Sequence, residues 1–406
     1  MFKFLLSLKG NARICLFTEP LWGVPFNLFA PFVTLYMYHL GVLDIEIGII
    51  LAVSRIVQMG TALLAGVITD KFGRRLTTFV ADCIAWSIPA LIWAFSQNFW
   101  WFLVAAVING SLQITMVSWE CLWVDDTEEK HVSPIFNWIY ISGLLAVFFA
   151  PIAGYFVYIH GVVPVVRIIY ILTFLSMTVK FVILYFLSTE TERGKERMAA
   201  TKGVPITQLL AGYKNIFVQI IRSGSMVQAL ALQALLSVVI LITGTFFALY
   251  ATQNLLMPDA FLAGFPILRA GVMLAFLLVI QDLLNKFNPK KVMLFGLVLY
   301  VASMAWLLTA PVSNWAWLGV YVFIEACATA LLLPRIDSIA AKAIDPEERA
   351  RIRSLFNMVI MAISAPLAFL AGLLSDMDRQ FPFILNIFLF AIMAVVVLKG
   401  ARKQRA

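Results

Sequence analysis

Ionisable residues inside apolar runs are the part of this chain that could do chemistry. Arg55 lies in LAVSRIVQMG (51–60), Arg269 in PILRAGVML, Glu325 in VFIEACATA and Glu19 in FTEPLWGVPFN. A guanidinium stays charged at physiological pH, so Arg55 and Arg269 are fixed cations that could hold an anionic or polar group. Glu325 and Glu19 are the groups that could take and release a proton. Asn27, Asn109, Gln113 and Gln233 could add neutral hydrogen bonds, with Gln228, Thr243 and Thr245 as further candidates. Lys180, Asp82 and Glu120 complete the set of buried-run charges; Lys180 could pair with one of the acids, and Asp82 reads as structural.

Other chemistries lack their residues. Cys15, Cys83, Cys121 and Cys327 fall in or beside apolar stretches without metal spacing, and His39, His131 and His160 lie near loops. They suggest no metal, no nucleophile and no cofactor. No Walker loop is present, so ATP is not the expected direct driver.

The elements that must position these residues are membrane spans. The 406 residues are 62% hydrophobic and 13% charged, with mean hydropathy +0.93, whereas a soluble domain is about half apolar and about a quarter charged. Runs of about 20 apolar residues fall near 14–38, 45–68, 77–97, 100–122, 134–158, 165–187, 226–252, 260–283, 291–310, 314–334, 355–374 and 380–398. The expected fold is all-α: twelve transmembrane helices in two pseudo-symmetric six-helix bundles. The first run is too long for a signal core and reads as a retained helix. Lys and Arg concentrate in the N-terminal segment, the even-to-odd loops and the tail ARKQRA; only Arg167 and Arg379 fall in the opposite loops. Both termini are therefore expected in the cytoplasm, in a multi-pass plasma (cell inner) membrane protein. This bias accounts for the net charge of +8 without a nucleic-acid partner. The expected partners are lipid, protons and a small-molecule substrate, and the expected state is a monomer.

The polar stretch STETERGKERMAATKGVP and the amphipathic ITQLLAGYKNIFVQIIRSG divide the chain into 1–188, a linker 189–225 that lies on the membrane face, and 226–406. The halves repeat one another. LYMYHLGVLD answers LYATQNLLMPD, DDTEEKHVSPIFNWI answers DPEERARIRSLFNMVI, and APIAG answers APLAF. Such a repeat points to a transporter with its site between the halves at mid-membrane. The repeat also makes Arg55 and Arg269 equivalents at matched depth. Glu325 sits near Arg269, while Asn27 and Asn109 sit near Arg55. Arg55, the less neutralised of the two, is the expected first contact with substrate. Span one, with Pro20, Pro25, Pro31 and Gly23, is expected to be kinked and unwound.

The loop between spans two and three reads GVITDKFGRR, with Gly66, Asp70, Lys71, Gly73, Arg74 and Arg75. It resembles the G-x-x-x-D-[RK]-x-G-R-[RK] signature of the major facilitator superfamily. The second-half counterpart LNKFNPKK keeps Lys286 and Phe287 but has Asn285 for the acid and Pro289 in the turn. The resemblance implies that spans one, four, seven and ten line a central cavity. It also implies that Gly66, Asp70, Gly73 and Arg74 hold the cytoplasmic side shut in the outward-open form. The acid at the end of span four that Arg74 meets is expected to be Asp126 or Asp125. AVFFAPIAG in span five is similar to a degraded form of the family's antiporter motif, consistent with export or with a helix kink alone. The expected function is secondary transport, proton-coupled and possible as export. Uptake of a polar or anionic metabolite, a lipid or lysolipid flippase, and a transporter-like receptor without flux are the alternatives.

Overall fold

The computed structural model describes residues 8–211, 213–276, 287–343 and 349–403. Ten helices among them are long and apolar enough to cross a membrane. They are spans two (Asp44–Phe72), three (Arg74–Phe95), four (Phe99–Val124), six (Val162–Leu187) and seven (Gly224–Asn254), with the membrane part of five (Ile141–His160). Nine (Pro289–Leu308), ten (Trp315–Ala340), eleven (Ile352–Met377) and twelve (Phe381–Lys399) follow. The remaining two are present in part. Span one is broken into Gly10–Thr18, Pro20–Phe29 and Val33–His39, with a 3-10 turn at Ala30–Phe32. Span eight is described over Gly264–Ala275; residues 277–286, including Asn285 and Lys286, lie outside the described residues. Together these make the twelve-helix, two-bundle fold.

Proline sets the irregularities. Pro20 opens the second piece of span one, Pro25 lies inside it and Pro31 lies in the 3-10 turn; none has an amide proton to continue the ladder. In span three, Pro89 follows a π-helical segment, Cys83–Ser87. The proline ring has no hydrogen bond to give to the carbonyl four residues back. That carbonyl, on Ala85, accepts instead from the Asn109 side chain of span four at 2.7 Å.

Spans two and eleven lie antiparallel and join the halves. Near one end Gly48 meets Gly372 so closely that a Cβ on Gly372 would lie 2.5 Å from the Gly48 Cα. Further along, the Ser354 hydroxyl donates to the Ala62 carbonyl at 3.1 Å. The face beyond Gly48 is sealed by further cross-half contacts. Arg379 Nε donates to Asp44 at 3.0 Å and the Ser375 hydroxyl to the same carboxylate at 2.7 Å. His39 pairs with Asp259 at 3.2 Å. Gly154, in the APIAG stretch, packs where a Cβ would lie 2.8 Å from the Ala260 carbonyl oxygen. We call this the far face, and the opposite one the linker face.

On the linker face, the helix Glu192–Thr201 docks on the loop between spans two and three. The helix Tyr213–Arg222 packs on spans seven and eleven and leaves Phe217, Val218 and Ile221 exposed.

Candidate functional site

A cavity of about 530 Å³ lies between the halves, on the linker side of the Gly48–Gly372 contact. Its walls come from spans two (Arg55), four (Gln113, Met116), seven (Gln233, Ser237), ten (Asp337) and eleven (Arg353, Asn357), with aliphatic side chains of spans seven, ten and eleven between. Spans four, seven and ten contribute as the family resemblance implies; span one contributes no lining residue, and two and eleven take its place. The physical reason is the aromatic stacking of span one inside its own half. Trp22 stacks on Phe26 at 4.8 Å, both meet Trp86 edge-on, and Phe29 packs on Tyr170.

Arg55 lines the cavity. Its Nη1 donates to the Gln58 side-chain Oε1 at 3.0 Å, and the Gln58 Nε2 donates to the Ser54 hydroxyl at 3.0 Å. The guanidinium is thus oriented by an amide and carries no carboxylate. Gln58 is a site-shaping residue missed by sequence reading, although its i+3 spacing from Arg55 was the available signal. Gln113 and Gln233 also line the cavity, and the Gln233 amide donates to Asp337 at 3.1 Å. Asn27 and Asn109 do not join Arg55. Asn27 donates to the Gly23 carbonyl of its own helix at 2.8 Å, and Asn109 is taken up by Ala85. Both amides serve backbone carbonyls in proline-perturbed helices, a need greater than any at the cavity.

Arg269, expected beside Arg55, stands apart from the cavity. It donates to Glu325 at 2.9 Å and to the Thr329 hydroxyl at 3.4 Å. The Tyr300 hydroxyl donates to Glu325 at 3.4 Å and contacts Thr329, closing a network among spans eight, nine and ten. The Glu325 side chain is 7% exposed and that of Arg269 35%, so this charge pair lies within one half with its carboxylate buried. Glu19 is likewise paired, with Lys180 at 2.7 Å. Lys180 also lies over the Trp119 ring, and Asp82 nearby accepts from the Thr115 hydroxyl at 2.5 Å. The arginines that line the cavity are therefore Arg55 and Arg353, one from each half. Arg353, Asn357 and Asp337 were missed because they sit near span ends, where charge reads as loop.

The gating residues meet the linker. Asp70 takes two hydrogen bonds from Arg197, at 2.6 and 3.0 Å, and pairs with Arg74 at 3.2 Å. The hydrogen bond to Asp70 raises the Arg197 guanidinium above its usual pKa. Among the described residues, Asp70 thus meets no group of the other half here. Arg74 donates to Asp125 at 2.9 Å, and not to Asp126. One residue on, the helix turns by about 100°, and the Asp126 carboxylate instead accepts from the Glu192 amide at 3.3 Å. Gly73 has φ +84° and a Cβ there would lie 2.6 Å from Glu190 Oε2. Glu190 uses this room to accept from the Arg74 and Arg75 amides at 2.9 and 3.0 Å, capping span three. Gly66 lies in span two near its linker-face end.

The comparisons with known proteins agree with one another. A family model described as Major Facilitator Superfamily matches residues 23–281 and 267–406. The chain is 22% identical over 385 residues to the multi-drug resistance efflux pump PmrA of Streptococcus pneumoniae, covering 90% of this chain and 89% of that one. It is 29% identical over 126 residues to the uncharacterized MFS-type transporter YqjV of Bacillus subtilis, 30% of each chain. Among solved structures, a variant of the nucleoside transporter NupG superposes with TM-score 0.72 at 16% identity, covering 95% and 99%. The peptide transporter POT in complex with sulfate superposes with TM-score 0.70 at 16% identity, covering 98% and 97%.

Proposed function

We propose, on the premise that this chain belongs to the major facilitator superfamily of secondary transporters, that it carries a small molecule through the cavity between its halves by proton-coupled, rocker-switch alternating access. One observation carries the reading: a cavity of about 530 Å³ with polar groups from both halves, closed toward the far face. Residues 1–188 and 226–406 are the rocking bodies and 189–225 is the tether. With the linker face in the cytoplasm, as the Lys and Arg distribution predicts, this form opens inward in a plasma membrane.

Arg55, Gln113 and Gln233 are the substrate contacts on this reading. Glu325 and Glu19 are the coupling candidates. Each is held by one cation, Arg269 or Lys180, and exchange of that cation for a proton during rocking would couple the two movements. Asp70, Gly73, Arg74 and Gly66 form the linker-face gate. Resemblance to a drug efflux pump favours export. Uptake of a polar or anionic metabolite is the second reading, favoured by Arg55 and Arg353 in one cavity.

The test is flux in proteoliposomes for compounds that stabilise the purified protein, with and without a pH gradient. The gradient is expected to stimulate flux several-fold, and Glu325→Gln to abolish the stimulation while exchange persists. Parent flux indifferent to the gradient would remove proton coupling. Stabilising compounds that never cross would favour a receptor, and movement of labelled lipid would favour a flippase.

A further inference from the structure

The cavity holds two cations at different depths. The Ala62–Ser354 hydrogen bond sets the register of spans two and eleven. Arg353 therefore lies beside the residue after Ala62, about 12 Å of helix rise toward the linker face from Arg55. Arg55 is at the deep end and Arg353 at the mouth, and neither forms an ion pair with a described residue. Among the described lining residues the one carboxylate, Asp337, is hydrogen-bonded by Gln233.

A second carboxylate stands at the mouth. Gln113, Met116 and Glu120 are spaced i, i+3 and i+7, so they share one face of span four, and the first two line the cavity. Glu120 is exposed on that face and within electrostatic reach of Arg353 across the gap between the halves. No ion pair joins them in this form.

We propose that the transported compound is an organic anion with an apolar body, and that Arg353 alternates between its anionic group and Glu120. This rests on the reading of the cavity as the transport site. An entering anion meets Arg353 first. Its transfer to Arg55 leaves Arg353 without a counter-ion in a narrowing, water-poor mouth, where an unpaired charge is costly. Glu120 supplies the counter-ion, so loading the deep station and closing the mouth behind the anion become one event. The same steps run backwards on release. The aliphatic walls from spans seven, ten and eleven take the apolar body.

Equilibrium binding of 2-naphthoate to the purified full-length protein tests this, against 2-naphthol and (2-naphthylmethyl)trimethylammonium. The anion is expected to bind about tenfold or more tightly than either, a difference of about 1.4 kcal/mol. Arg55→Gln and Arg353→Gln should each weaken it about tenfold, with Arg353→Lys weakening it less. Glu120→Gln should tighten binding severalfold in the parent and change nothing in the Arg353→Gln background. Thermal unfolding of each variant checks the fold. Preference for the cation would make Asp337 the anchor and overturn the proposal. An equal effect of Glu120→Gln in both backgrounds would overturn the exchange. Flux of other compounds without naphthoate binding would sink the anion class and leave the transporter reading intact. The full binding pattern without flux of any compound would sink transport and keep the anion site.

Discussion

At the scale of the residue, a charge inside a membrane helix needs a partner, and the choice of partner separates structure from chemistry. Glu19 and Lys180 are both nearly buried and joined at 2.7 Å. Removing one member of such a pair costs about 3–5 kcal/mol, because the other is left charged and dry. Glu19→Gln is therefore expected to lower the thermal unfolding midpoint in detergent by several degrees, and pairing it with Lys180→Met should restore most of the loss. A midpoint unmoved by the single change would mean that water reaches the pair. Arg55 differs: its partner is the Gln58 amide, which orients the guanidinium without neutralising it. Arg55→Lys keeps the charge and loses the planar fork. Transport of the best substrate should fall about tenfold while the unfolding midpoint stays near that of the parent; transport equal to the parent would rule out a fork contact.

At the scale of the element, the helix Glu192–Thr201 acts as a clamp on the loop between spans two and three. Arg197 grips Asp70, Thr201 donates to the Asp70 carbonyl, Lys71 reaches the Val204 carbonyl and Glu190 caps span three. Asp70→Asn or Arg197→Ala should free this helix. Trypsin, which cuts after Arg and Lys, should then cleave the segment that contains Arg193, Lys195 and Lys202 at least severalfold faster, read on a gel. Unchanged cleavage would mean that packing, rather than the ion pair, docks the helix. Gly73 supports the same clamp through its positive φ and the room it leaves for Glu190. Gly73→Ala imposes a strained backbone of about 1 kcal/mol or more together with that clash. Its effect on cleavage should match Asp70→Asn.

At the scale of the whole molecule, the far face is a latch between halves. The Asp44–Ser375–Arg379 cluster is backed by the glycine contact of Gly48 with Gly372. Alternating access requires this latch to part. Replacing Asp44 and Ser375 together with cysteine puts two thiols where the side chains now touch at 2.7 Å. Oxidation should lock the far face and stop flux, and reduction should restore it. Flux that survives complete cross-linking would exclude separation of the halves at this face.

Composition, span length and the half-chain repeat determined the class of this protein before any contact was known, because the membrane dictates helix length and polarity locally. The GVITDKFGRR loop determined the family for the same reason: its residues are neighbours in sequence. Proline positions foretold the broken first span. The partners of the buried charges were another matter. The repeat put Arg55 and Arg269 at one depth, but depth is one coordinate, and the rotation of each helix about its axis decides what a side chain faces. Glu325 for Arg269 and Asp125 as one of two acids for Arg74 were within reach of the sequence, but only the packing of helices far apart in sequence chose Asp125 over Asp126, turned Arg269 away from the cavity and brought Arg353 into the cavity of Arg55. Hydrophobicity fixes how deep a residue lies; side-chain interlocking between helices fixes which way it points.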